Sequence, residues 1–170
     1  MENIKKEDFG KWFMERESFE LNEKRASLVF SQIQDDLGFF LSGELKDFIL
    51  LSDDQDIAPK RGCDSCLAKY DQGNRIVLID VLFCSEGIVH YTKMLTKKRE
   101  GGQYLLVIGA DYDENGEAYI LYDLDSASTT YRHVFHWRYH SDPLRVGDGL
   151  GFLAPSLKEF LLSPSSREEL

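Results

Sequence analysis

Cys63-Asp-Ser-Cys66 is the spacing that most invites chemistry in this chain of 170 residues. Two thiols so placed can grip a zinc ion or cycle through a disulfide. With Cys84 and His90 downstream, a four-ligand zinc site can be drawn. Structural zinc takes two tight ligand pairs, however. The second pair here would be Cys84-x5-His90, and Cys84 sits in an apolar, strand-like run. A thioredoxin-type motif opens a helix after a buried strand, which the loop-like surroundings of Cys63 do not offer. Cys63 and Cys66 remain the only metal candidates, and the expectation is a surface loop with two reduced thiols. Three cysteines, an odd number, suggest no disulfide framework.

The other motifs weaken on inspection. His133-x2-His136-x3-His140 lies in an alternating stretch, so His133 points away from His136 and His140. The latter two stand about 13 Å apart on an extended chain, too far for one metal. The expectation is a half-buried His133 among aromatics, with His136 and His140 solvated. Asp111-x-Asp113-x-Asn115-Gly116 resembles the start of a calcium loop, but position twelve is Tyr122 where an acid is needed. A β-hairpin turn is expected there instead, because these residues tolerate positive φ. Gly147-x-Gly149-x-Gly151 lacks the strand, helix and lysine of a nucleotide loop and reads as a turn. No G-x-S-x-G or S-x-x-K nucleophile motif is present. No catalytic residue and no cofactor is expected.

Charge is the remaining signal. The formal net charge is −10. That excludes binding to nucleic acid or an anionic membrane by long-range attraction, and favours a basic protein partner. Asp35–Asp56 holds seven acids against Lys46, and Asp111–Asp125 holds six with no base, a net of −6 in each segment. Bases gather around Lys93–Arg99 and along Arg132–His140. The contact candidates are Asp53, Asp54, Asp56, Asp111, Asp113 and Glu114.

Several elements must position these groups. The N-terminus lacks the apolar core of a secretory signal, and no apolar run approaches the ~20 residues of a membrane span, so a cytoplasmic location without membrane insertion is expected. Phe9, Trp12 and Phe13 suggest a helix over Glu7–Leu21, weakened by Gly10. After Asn22, the spacing of Ala26, Val29, Phe30, Ile33 and Leu37 predicts an amphipathic helix that Gly38 ends. A further helix starts near Ser42 and presents Leu45, Phe48 and Ile49. Ser52–Gly73 reads as a long irregular loop, and residues 85–102 as a turn or short helix. Strands are predicted at Arg75–Phe83, Tyr104–Ile108, Glu117–Leu124 and Tyr131–Tyr139, and a closing helix at Pro155–Leu162. Connections too short for parallel crossovers predict an α+β domain. Its mostly antiparallel sheet would carry N-terminal helices and a closing C-terminal helix.

Three stretches in this order resemble the SUKH superfamily. Ile33-Gln-Asp-Asp-Leu-Gly-Phe-Phe-Leu-Ser-Gly-Glu-Leu-Lys-Asp-Phe-Ile-Leu is similar to its opening pair of helices, with Ser42-Gly43 where Leu-Pro is usual. Leu105-Leu-Val-Ile-Gly-Ala-Asp and Asn115-Gly-Glu-Ala-Tyr-Ile-Leu-Tyr-Asp-Leu resemble its central strand pair. Phe135-His-Trp137 followed by Leu153-Ala-Pro-Ser-Leu-Lys-Glu-Phe-Leu-Leu resembles its closing strand and helix. Ser52-Asp-Asp stands where Asn-Gly is common. The resemblance implies a domain over residues 23–163, with an added N-terminal helical segment (1–22) and a polar, frayed tail (164–170). It also implies a non-catalytic binding module. In bacteria that means an immunity protein neutralising a toxin such as a nuclease or deaminase. The alternative is a regulatory scaffold in cell-wall synthesis or secretion control.

Overall fold

In the computed structural model, which describes residues 3–15, 21–38, 40–95, 104–113, 116–144 and 149–170, the predicted central helix is α1, Glu23–Leu37. Asn22 caps it by accepting from the Arg25 N–H at 2.9 Å. Gly38 ends it at φ 79°, a left-handed position that a side chain resists. Ala26 and Ile33 are buried, and Val29, Phe30 and Leu37 pack beside them. The next helix, α2 (Gly43–Leu51), starts at the predicted cap Ser42 and buries Leu45, Phe48 and Ile49.

The N-terminal helix expected over Glu7–Leu21 is not formed among the described residues. Lys6–Phe9 makes one short 3-10 turn, and strand β1 (Trp12–Phe13) pairs with β2 (Ala58–Pro59). The apolar spacing there serves two different partners. Phe9 stacks on Phe48, whereas the Trp12 indole packs on Phe160 and donates to the Leu161 carbonyl at 2.9 Å. Phe13 stays exposed.

Six further strands are β3 (Ser65–Tyr70), β4 (Gly73–Leu82), β5 (Leu105–Asp113), β6 (Gly116–Asp123), β7 (Val134–Arg138) and β8 (Gly151–Ala154). Neighbours pair antiparallel in that order. The sheet closes into a barrel through Lys69 of β3 opposite Phe152 of β8. The predicted α+β class and antiparallel sheet are therefore present, and closure was not predicted. Register shifts at Ile79/Val81, Val107/Gly109 and Val134/Phe135 supply the curl, since a bulge sharpens local twist. The loop expected over 52–73 instead contains β2 and β3. The stretch 85–102, expected to be a turn or short helix, contains the helix α3, Ser85–Leu95, with residues 96–103 outside the described residues. The chain closes with α4, Leu157–Leu162, whose Leu157, Phe160 and Leu161 face inward as predicted. Of the expected tail, Ser165 exchanges backbone hydrogen bonds with Ser65.

Glu44, one of the seven acids of the Asp35–Asp56 segment, is buried in the first turn of α2. Its carboxylate accepts from the Tyr122 hydroxyl at 3.0 Å and from the Leu157 and Lys158 N–H groups at 2.7 and 3.3 Å. Arg132 pairs with it at 2.7 Å from a backbone held at φ 73°. One side chain thus joins α2, β6, the β6–β7 connection and the start of α4. The first N–H groups of a helix have no partner within it, and a carboxylate there also meets the favourable end of the helix dipole. Glu44→Ala removes the acceptor from four donors at once. It is expected to lower stability by on the order of 3 kcal/mol or more in urea denaturation. Glu44→Gln, which keeps one acceptor oxygen, is expected to cost less.

Candidate functional site

Two of the three thiols, Cys66 and Cys84, offer little reactivity. Cys66 lies in β3, not on a surface loop as expected, and burial pushes its thiol up to about 11. Cys84 is half-buried ahead of α3, and its thiol is likewise raised, first by burial. All three cysteines are free. Among the described residues, no group of three or more His, Cys, Asp or Glu is placed to hold a metal ion.

The expectation for His136 is corrected. Its side chain is 1% exposed, and the solvated face predicted for it does not exist. Its Nδ1 lies 2.5 Å from the Tyr70 hydroxyl, and its Nε2 meets the Asp111 carboxylate. Strands β3, β5 and β7 are not neighbours, so these side chains meet only because the sheet curls. Gly151 of β8 lies beneath the Tyr70 ring, where a Cβ would come within 2.4 Å of the ring. Arg138 covers the ring at 4.6 Å and is held by Asp142 through two bonds of 2.9 and 2.7 Å. Tyrosine, imidazole and carboxylate in a row can hold and pass a proton. Here the imidazole and the carboxylate are both closed to solvent. His133 sits half-buried against Phe135 and Phe152, and His140 is exposed, both as predicted.

The contact candidates separate. Asp111 is turned inward onto His136, a correction to its expected surface role. Asp113 closes the β5–β6 hairpin opposite Gly116; its side chain, and Glu114 entirely, lie outside the description. The centre of the expected tight turn, residues 114–115, lies outside the described residues. Asp53 is also corrected: it is buried, and it accepts from the Leu21 N–H at 2.6 Å. Asp53 and Asp54 stand at φ 56° and 48°, a left-handed pair that aspartate tolerates and that closes α2. This accounts for acids where Asn-Gly is common in the resembling family. Asp54 then accepts from both the N–H and the hydroxyl of Ser85 at 2.6 Å, and Asp56 from the Cys84 N–H at 2.8 Å. Together they cap α3. Gly147 lies outside the description, and Gly151 opens β8, not a turn.

Beside this cap, α1 and α3 leave a groove of about 230 Å³. Val29, Ile33 and Val89 form its apolar floor, and Gln32, Asp36 and Glu86 its rim. Asp36 is 3.6 Å from Lys93. In the sequence the α1 half of this groove reads as a helix, whereas the α3 half reads as either a turn or a short helix. Ile88, Thr92 and Leu95 carry the helical period that signals the helix. Asp54→Ala is expected to lower stability by about 1–2 kcal/mol, because two α3 donors lose their acceptor and alanine resists the left-handed backbone. Asp54→Asn is expected to cost less, and thermal denaturation distinguishes the two.

Neither the curated proteins nor the solved structures contain a match to the chain. A family model does match, that of the SMI1 / KNR4 family (SUKH-1), over residues 29–163. That span runs from α1, through all six barrel strands, to the end of α4. The chain belongs to the SMI1 / KNR4 (SUKH-1) family.

Proposed function

We propose that this chain is a non-catalytic protein-binding module, an immunity protein that binds and neutralises a basic toxin domain of the nuclease or deaminase kind. The observation that carries this reading is a contrast. The residues best suited to proton chemistry, Tyr70, His136 and Asp111, are closed inside the barrel, while the acid-rimmed groove between α1 and α3 stands open. Family membership supports the same class, because it is consistent with an immunity-like or a regulatory module. So does the net charge of −10, which speeds encounter with a positively charged surface. Neutralisation would come from occluding or distorting the toxin, with no bond made or broken by this chain. No helix among the described residues is long and apolar enough to cross a membrane, so nothing in them opposes an encounter in solution.

The test is association with the toxin domain encoded beside the gene. A complex at micromolar concentration or tighter is expected, with an association rate that falls as salt rises and with loss of toxin activity. Absence of any complex with the neighbouring toxins at that concentration would sink the immunity reading. A stable cellular partner found in its place would favour the regulatory scaffold.

A further inference from the structure

We infer that the α1–α3 groove receives a basic segment of the protein partner, with an apolar anchor side chain on the Val29–Ile33–Val89 floor and flanking Lys or Arg on Asp36 and Glu86. This rests on the reading of the chain as a binder of basic proteins. Size is the first ground. A groove of about 230 Å³ falls below the roughly 300–1,000 Å³ of small-molecule pockets and suits an anchor side chain. The apolar surface also continues past the groove. Leu28 is 68% exposed and stands one turn before Gln32 on the same i, i+4 row as Asp36.

Charge decides the occupant. The last turn of α1 carries Asp35 and Asp36 and no basic residue. Acids at this end oppose the helix dipole, so the placement weakens the helix and attracts cations. The opposite pole, at the start of α3, is no anion site, because Asp54 and Asp56 already occupy its first N–H groups. Lys93 pairs with Asp36 at 3.6 Å, with its side chain 54% exposed. An exposed lysine held this loosely is displaced at little cost, and an arriving cation takes its place on Asp36. A second copy of the chain is disfavoured as occupant, since two molecules of charge −10 repel.

The first experiment uses a designed helical peptide with leucine on one face and lysine on the other, titrated into isotope-labelled protein. Amide shifts are expected at residues 29–36 and 85–89. They are expected to vanish in Gln32→Trp, which fills the groove, and to weaken about tenfold in the double variant Asp36→Gln with Glu86→Gln. Lys93→Gln is expected to raise the association rate severalfold. The same peptide with glutamate in place of lysine is expected to leave the amides unmoved. Shifts spread equally over residues 117–125, or unchanged in Gln32→Trp, overturn the inference. The second experiment repeats these variants against the neighbouring toxin domain, with melting curves to show that each still folds. A toxin that binds the natural protein and the filled-groove variant alike overturns the groove and leaves the immunity reading standing. A toxin that binds neither overturns the immunity reading, while the peptide still decides the groove.

Discussion

A carboxylate taken out of water is stable only if donors surround it, and Glu44 is placed so that four elements must converge to provide them. The Tyr122 hydroxyl, two N–H groups of α4 and the Arg132 guanidinium all point at one side chain on α2. Two of these donors are backbone groups, so the position of α4 is tied to the carboxylate itself. Arg132 makes its bond from a left-handed backbone, a conformation uncommon for a non-glycine residue. The ion pair is therefore better regarded as a register device than as a source of net stability, since desolvation offsets much of its Coulomb attraction. It sets where the closing helix meets the second one, and Trp12 and Phe160 pack around that junction.

Curvature of the sheet is the second constraint. Six short antiparallel strands bend enough that the ends of β3 and β8 meet, and both faces of the middle strands become covered. Val134, Phe135, His136 and Trp137 are consecutive and all buried. Strict alternation of side chains still holds, but it no longer separates core from solvent. On one face lies the Tyr70–His136–Asp111 row. On the other runs a ladder of rings from Phe83 through Tyr91 and Tyr119 to Trp137. A polar row enclosed on one side and packed rings on the other both add directional contacts to the barrel wall.

These two constraints explain what could be read from the sequence and what could not. Helix α1 was legible because only one of its faces is covered, so burial follows the period and Asn22 and Gly38 mark its ends. The α4 motif was legible for the same reason. The antiparallel sheet was legible from short connections, but its closure was not, because only one of its three register shifts, that at Val107/Gly109, falls on a glycine, where a Cβ would come within 2.5 Å of the Val81 carbonyl oxygen. His136 departs from the expectation because both faces of β7 are covered. Trp12 was misassigned to a helix because its partner, Leu161, lies at the far end of the chain. Of the groove, the Val29 and Ile33 wall was visible as a helical stripe. Val89 and Glu86 were not, because the glycines and basic run around α3 leave the stretch open between a turn and a short helix.

The acids show the same limit, because composition counts carboxylates without saying which way they point. Glu44, Asp53, Asp111 and Asp123 are all drawn inward, held by donors in the fold. Asp54 and Asp56 cap α3, and Glu86 stands in its first turn. An acid at the start of a helix works with the dipole, so folding alone accounts for these three positions. Asp35 and Asp36 differ: they crowd the end of α1, where an acid works against the dipole and, among the described residues, Lys93 partly offsets it. A charge arrangement that costs the folded chain stability is explained by something outside the chain. Recognition of a basic partner is therefore to be sought at the end of α1 and along its groove, and not in the total of −10.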